Sequence, residues 1–97
     1  MTFAEFKASL DQNSPVKDLP AALRALWWAG KGDWDAAHKL AQDDDSQDGA
    51  WVHAYLHRVE GDISNARYWY GHAGKPPRSD ELAAEWQAIS EALISAR

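Results

Sequence analysis

The sequence predicts an all-α fold of about six short antiparallel helices. Two tight turns, Gly32-Asp33 and Gly61-Asp62, each end one helix and begin the next, because glycine accepts the left-handed conformation of a helix end and aspartate caps a helix start. Between these turns, apolar residues recur every three or four positions, which is the period of a helix with one buried face. No segment alternates apolar and polar residues, so we expect no sheet.

Length and composition fit a single globular domain. The chain has 97 residues, of which 45% are hydrophobic and 26% charged, so we interpret residues 1–97 as one folded domain. Six tryptophans are many for so short a chain, and their large amphipathic rings suit a thin core or a binding surface. The absence of cysteine excludes disulfides and thiolate metal sites.

Charge and hydropathy argue against two classes of partner. The formal net charge is −5, and an acidic chain repels a phosphate backbone, so we expect no nucleic-acid binding. No apolar run approaches the roughly 18 residues of a membrane span. The N-terminus also lacks the basic start and apolar stretch of a secretory signal. We therefore expect a soluble cytoplasmic protein without a membrane partner.

The N-terminal segment predicts a short helix. Thr2 and Glu5 fit a capping box, in which each side chain binds the backbone N–H of the other residue. Phe3, Phe6 and Leu10 form an apolar stripe along the helix that follows. The next five residues, Asp-Gln-Asn-Ser-Pro, have turn chemistry and separate this helix from the second one.

Two helices are expected around the first Gly-Asp turn. The second helix starts near Asp18–Pro20, since proline is tolerated in a first helical turn. Its stripe places Trp27 at the edge of the buried face, and Trp28 lies on the opposite side. The third helix covers about residues 34–42. The core residues expected from both helices are Leu19, Ala22, Leu23, Leu26, Ala29, Trp34, Ala37, Leu40 and Ala41.

Three further helices are expected in the C-terminal half. The fourth covers about residues 50–60 and the fifth about residues 63–73, with the second Gly-Asp turn between them. A Gly-Lys-Pro-Pro segment then interrupts the helical pattern. The last helix, residues 79–96, has the clearest amphipathic stripe. The inward-facing residues expected from the fifth and last helices are Ile63, Ala66, Tyr70, Ala73, Leu82, Trp86, Ile89, Leu93 and Ala96.

An internal repeat accompanies the two turns. The nine residues that end at Ala37 align without gaps with the nine that end at Ala66, at an offset of 29 residues. In both copies a small alanine lies one turn after Gly-Asp, where it lets two helices pack closely. We therefore expect residues 19–77 to form two helical hairpins.

The second hairpin resembles a tetratricopeptide repeat. Residues 54–70 combine an aromatic-containing first helix, Gly-Asp, a hydrophobic residue and then alanine, and Pro76 lies near the position of the family's closing proline. The resemblance implies a small tetratricopeptide-like array of stacked hairpins and says almost nothing about activity. The repeat is shorter than the usual length of about 34 residues. The same segment is similar to small bacterial proteins, a resemblance that implies no activity.

His53, His57 and Glu60 are spaced to share one face of the fourth helix. Imidazole and carboxylate groups bind metals and transfer protons, so a metal or acid–base site is one interpretation. The other is a solvated surface, because this face is opposite the apolar residues of the helix and the spacing indicates no further ligand. We favour the solvated surface and predict neither a metal nor a cofactor.

The acidic loop before the fourth helix matches half of a calcium-binding loop. Asp44, Ser46, Asp48 and Gly49 fit its first half, but the twelfth position is Tyr55, where a bidentate glutamate is required. We therefore predict an acidic linker without tight calcium binding, in which Ser46 or Asp48 caps the next helix.

Cations and aromatic residues gather in the fifth helix and the segment after it. Such residues are enriched in binding hot spots, and with a tryptophan of the second helix they predict a groove for a peptide or an anionic small molecule. The alternative is core packing, in which an arginine pairs with a nearby carboxylate and the rings fill space. The predicted binding residues are Trp28, Arg67, Tyr68, Trp69, His72, Lys75 and Arg78.

The sequence has no signature of a catalytic site. There is no nucleophile elbow, no cysteine and no phosphate-binding glycine loop, so we predict no catalytic residue. The function we expect first is a non-enzymatic protein-interaction or scaffold module that binds a protein or peptide partner on an aromatic-lined helical surface. The alternative is a small-molecule-binding protein or enzyme that uses histidine, acidic and arginine groups. A third hypothesis is a homo-oligomer with tryptophans buried between subunits.

Overall fold

The computed structural model describes all 97 residues and confirms the all-α prediction. Six α-helices are joined by short connections, a 3-10 turn follows the first of them, and no residue lies in a strand. None of the helices combines the length and apolar character that crossing a membrane requires. The helices are α1 (Phe3–Ala8), α2 (Ala21–Gly30), α3 (Trp34–Gln42), α4 (Gln47–Val59), α5 (Ile63–Ala73) and α6 (Leu82–Ser95).

Side-chain caps determine where four of the helices begin. Thr2 and Glu5 each accept a hydrogen bond from the backbone N–H of the other, which is the predicted capping box. Asp33 and Asp62 each accept from the N–H three residues later, so both Gly-Asp turns cap the helix that follows. Ser46 caps α4 in the same way, and α4 therefore begins three residues earlier than the sequence predicts.

The two Gly-Asp turns share one backbone geometry. Gly32 and Gly61 have φ values of +82° and +85°, in the left-handed region that glycine adopts without a steric penalty. In the second turn, the N–H of Gly61 donates to the carbonyl of Arg58, and the N–H of Asp62 donates to the carbonyl of His57. These are the hydrogen bonds of a Schellman motif. The predicted positive φ of Gly61 is confirmed.

Gly61→Ala should lower the free energy of unfolding by about 1 kcal/mol. No atom lies within 4 Å of the added Cβ, so the cost arises from the left-handed backbone and not from a clash. Gly71 is the matched control, because it lies inside α5 with equally open space around its Cβ. Gly71→Ala should raise stability by about 0.5–1 kcal/mol. Urea denaturation that shows the same change for both variants would contradict this account.

Helix α4 lies at the centre of the fold. Helices α2, α3, α5 and α6 all pack against it, and residues 52–57 are consequently all buried. The main core contains 15 buried residues, drawn mostly from α2, α4 and α6. A smaller core of Ala54, Ala66 and Tyr70 lies between α4 and α5. A helix enclosed in this way has no solvated face along its middle turns.

The core agrees with the sequence prediction at most positions. Ala37 and Ala66, the matched alanines of the repeat, are both buried as predicted. Trp27 was predicted at the edge of the buried face, and that prediction is wrong because its ring is fully buried. The 3-10 turn after α1 covers the ring, and the indole N–H donates to the Ser9 hydroxyl at 3.1 Å.

Three residues predicted to face inward do not. Ile63 and Leu82 are exposed by 49% and 37% of their surface, because each lies in the first turn of its helix beside an open groove. Ala96 is exposed because α6 ends at Ser95. The apolar stripe of the last helix therefore begins later and ends earlier than predicted.

Candidate functional site

A groove of about 580 Å³ opens between α5, the start of α6 and the segment that joins them. We call it the arginine groove, because three arginines lie along it beside apolar side chains. Its apolar lining includes Ile63 and Leu82, the two exposed hydrophobic residues at the starts of α5 and α6. Its lining includes Arg58, Arg67 and Arg78, with Ile63, Ala66, Pro77 and Leu82.

The floor of the arginine groove is a buried polar network. Glu85 is fully buried and accepts a hydrogen bond from the Arg58 guanidinium at 2.6 Å and another from the Tyr70 hydroxyl at 2.5 Å. Burial and the adjacent carboxylate raise the pKa of Tyr70, so its hydroxyl remains a donor at neutral pH. Arg58 also donates to the backbone carbonyl of Asp80, which joins the connecting segment to α4.

The three arginines differ in how many partners they have. Arg58 is bound to Glu85, and Arg78 forms an ion pair with Asp80. The hydrogen bond from Arg78 holds the pKa of Asp80 below its ordinary value. Arg67 is exposed and forms no ion pair. The predicted alternative, in which Arg67 pairs with a nearby carboxylate, is therefore absent from the structure.

The arginine groove brings basic side chains together on an acidic protein. Three guanidinium groups lie along it, and the carboxylates that oppose them are Glu85 and Asp80. These five groups sum to one positive charge, and two further carboxylates, Asp62 and Glu81, directly precede the lining residues Ile63 and Leu82. Arg67 is therefore the group of the groove that can bind an anion without displacing a carboxylate of the chain.

The structure separates the predicted binding residues into different surfaces. Arg67 and Arg78 line the arginine groove, whereas Trp69 and His72 line a smaller cleft beside the acidic loop. Tyr68 is exposed and contacts the ring edges of Trp69 and His72.

The other two predicted residues, Lys75 and Trp28, line neither the arginine groove nor the smaller cleft. The ammonium group of Lys75 lies 4.3 Å from the centre of the Trp51 ring, in a cation–π contact. Trp28 is half-buried and packs edge-to-face on Trp27 at 5.0 Å. The seven predicted residues thus do not form one site.

A second polar site lies between α3 and α4. We call it the histidine cluster: His38, His53 and His57. The prediction that His53 and His57 lie on a solvated face is wrong, since their exposed fractions are only 3% and 5%. The face opposite the main core is covered by α3 and α5, and α3 contributes the third histidine.

Aromatic rings enclose the histidine cluster on two sides. Trp34 stacks on His38 with ring centres 4.6 Å apart, and Trp69 stacks on His53 at 4.0 Å. The Nε2 atoms of His38 and His53 are 3.0 Å apart, and Nδ1 of His57 lies 2.5 Å from a Glu60 carboxylate oxygen. The cluster is therefore dense and mostly shielded, with half-buried His38 at its outer side.

Burial keeps His53 and His38 neutral. Desolvation, with a smaller contribution from the neighbouring imidazoles, lowers the pKa of His53 to about 4. Burial and His57 also lower the pKa of His38. Both rings therefore have an unprotonated nitrogen at neutral pH, which is the form that binds metals.

No protein-family model, curated protein or solved structure matches this chain. The tetratricopeptide resemblance consequently remains a prediction. The structure adds that α2 packs on α3 and α4 on α5, each pair joined by a Gly-Asp turn. Any functional interpretation depends on the chemistry of the arginine groove and the histidine cluster.

Two important residues are not among the predicted site residues, although the pattern contains a signal for each. Glu85 lies three residues after Leu82 and four before Ile89, so a carboxylate interrupts the apolar stripe of the last helix. His38 lies four residues after Trp34 and therefore shares the face that meets α4. A polar residue at a core position of a helix indicates a buried partner, and both residues have one.

Proposed function

We propose that this protein is a non-enzymatic binding module that holds an acidic, partly apolar peptide segment of a partner protein in the arginine groove. The observation that supports this proposal is the unpaired guanidinium of Arg67, which lies beside exposed apolar side chains in the arginine groove. A guanidinium binds a carboxylate through two parallel hydrogen bonds, and Arg67 has its donors free for such a ligand.

The apolar lining specifies the rest of the ligand. Ile63 and Leu82 expose large hydrophobic surfaces at the groove, and Pro77 adds a rigid one. Contact with an aliphatic side chain would remove these surfaces from water, which contributes roughly 25 cal/mol per Å². A peptide with a carboxylate next to leucine or isoleucine satisfies both parts of the groove.

The network on the floor supports binding because it is already ordered. Arg58 and Tyr70 are held by buried Glu85, and the segment that carries Arg78 is joined to α4 through Asp80. A ligand therefore has to order mainly the exposed Arg67 side chain. Ordering one long side chain costs about 0.5–1.5 kcal/mol, which leaves most of the contact energy available for affinity.

Arg67→Ala should weaken binding of an acidic peptide about tenfold, or by about 1.4 kcal/mol. The probe is a short fluorescein-labelled peptide that alternates leucine and glutamate, measured by fluorescence anisotropy. The reason is loss of the one guanidinium of the arginine groove that has no ion-pair partner within the chain. The same peptide with glutamine in place of each glutamate should bind the wild type at least as weakly as the acidic peptide binds the variant.

Two variants serve as matched controls for this measurement. Arg24→Ala removes an exposed arginine from α2, and Tyr68→Ala removes an exposed ring from α5 outside the groove. Both should leave the affinity within twofold of the wild type. Equal losses for Arg24→Ala and Arg67→Ala would indicate non-specific attraction and would contradict the proposal, as would equal binding of the glutamine peptide.

A further inference from the structure

The histidine cluster brings three imidazoles from two helices together. His53 and His57 lie four residues apart on α4, and His38 comes from the facing side of α3. One nitrogen of each ring lies within 4.8 Å of one nitrogen of each of the others. Imidazole is a preferred ligand of zinc and related divalent transition metals.

Two rings of the cluster meet nitrogen to nitrogen. Nε2 of His53 meets only Nε2 of His38, 3.0 Å away. With both rings neutral, this contact needs one of the two nitrogens to keep its proton, whereas a metal ion held between them would bind the lone pairs of both. Packing against Trp69 accounts for the position of the ring but not for its nitrogens.

Glu60 prepares the third histidine for metal binding. Its carboxylate accepts a hydrogen bond from Nδ1–H of His57 at 2.5 Å. With the proton on Nδ1, the lone pair of this ring is on Nε2. A carboxylate behind a histidine is the usual arrangement at metal sites, where it fixes the ring and increases its basicity.

We propose that His38, His53 and His57 form a three-imidazole binding site for Zn²⁺, with Glu60 positioning His57. In a tetrahedral site with Zn–N bonds of 2.0–2.1 Å, two ligand nitrogens lie about 3.3 Å apart. The 3.0 Å separation of the His38 and His53 Nε2 atoms therefore has to widen by a few tenths of an ångström, and the nitrogen of His57, within 4.8 Å of the other two, has to approach them by up to about 1.5 Å. Three protein ligands leave a fourth position, and half-buried His38 gives the ion a route from solvent.

The test is calorimetric titration of ZnCl₂ into protein without a polyhistidine tag, paired with the visible absorption of the Co²⁺ complex. The wild type should bind one ion per chain with micromolar or tighter affinity and give the intense absorption of tetrahedral Co²⁺. His38→Ala and His53→Ala should weaken Zn²⁺ binding about 100-fold or more. Glu60→Gln should weaken it about tenfold, since it removes the negative charge behind His57 but leaves all three ligands in place.

The fourth histidine of the chain is the matched control. His72 is exposed and is not among the three clustered rings, so His72→Ala should bind Zn²⁺ like the wild type. Circular dichroism shows whether each variant is folded. If His53→Ala does not fold, then His38→Ala decides, because its ring is half-exposed. Absent wild-type binding, or binding unchanged in His38→Ala, would overturn the proposal.

Discussion

Arg58→Ala is expected to lower the free energy of unfolding by about 3–5 kcal/mol. The guanidinium is the only cation that contacts buried Glu85, and its removal leaves that carboxylate with the Tyr70 hydroxyl as its one remaining partner. An uncompensated buried charge costs far more than the loss of a surface ion pair. Urea denaturation followed by tryptophan fluorescence measures the change.

A double variant isolates the cause of this loss. Arg58→Met combined with Glu85→Leu replaces both charges by apolar groups of similar size, so it should be much more stable than either single variant. Arg24→Ala, at an exposed position, should change stability by less than about 0.5 kcal/mol. If Arg58→Ala were as stable as Arg24→Ala, the buried network under the arginine groove would not exist in solution.

Trp86→Ala is expected to have an effect of similar size, about 3–5 kcal/mol. The ring packs on Phe3 and Phe6 with centres 5.6 and 5.7 Å away, and its indole N–H donates to the Leu26 carbonyl at 2.8 Å. It therefore joins α6 to both α1 and α2. Alanine would leave a large cavity where three helices meet, and the melting temperature should fall by about 12–40 °C.

Trp86→Phe separates packing from hydrogen bonding at this position. Phenylalanine retains most of the ring contacts, so its cost should be well below that of alanine. Tyr68→Ala is the control for loss of an aromatic ring at the surface and should change stability by less than about 0.5 kcal/mol. Thermal unfolding that gives Trp86→Ala and Tyr68→Ala similar melting temperatures would contradict the described core.

Local signals in the sequence predicted the helices well. The start of α1 follows from the capping box, and the starts of α3 and α5 follow from an aspartate cap directly after a left-handed glycine. The hydrogen bonds of these caps and turns join residues no more than five positions apart, so they can be recognised from the sequence alone. Helix α4 began earlier than predicted because its cap, Ser46, lies within a run of residues that also fits a loop.

The candidate sites were harder to predict because they depend on which helices meet. The periodicity of α4 indicates one apolar face, but it contains no information that α3 and α5 cover the opposite face and bury His53 and His57. Similarly, Arg67 and Tyr68 are adjacent in sequence yet serve different surfaces. The cation-rich segment predicted a binding region, whereas its division into a groove and an aromatic surface follows only from the tertiary structure.

An NMR titration tests the location of the proposed binding site most directly. The protein, labelled with ¹⁵N and with ¹³C in its methyl groups, is titrated with the leucine–glutamate peptide, and shifts are followed at arginine Nε–H and methyl resonances. Indole Nε1–H resonances of tryptophan are followed in the same ¹⁵N spectra. We expect the largest changes at Arg67, Ile63 and Leu82, which line the arginine groove, and little change at Trp28 or Trp69. Shifts concentrated at the two tryptophans, or none at any peptide concentration, would contradict the proposed function.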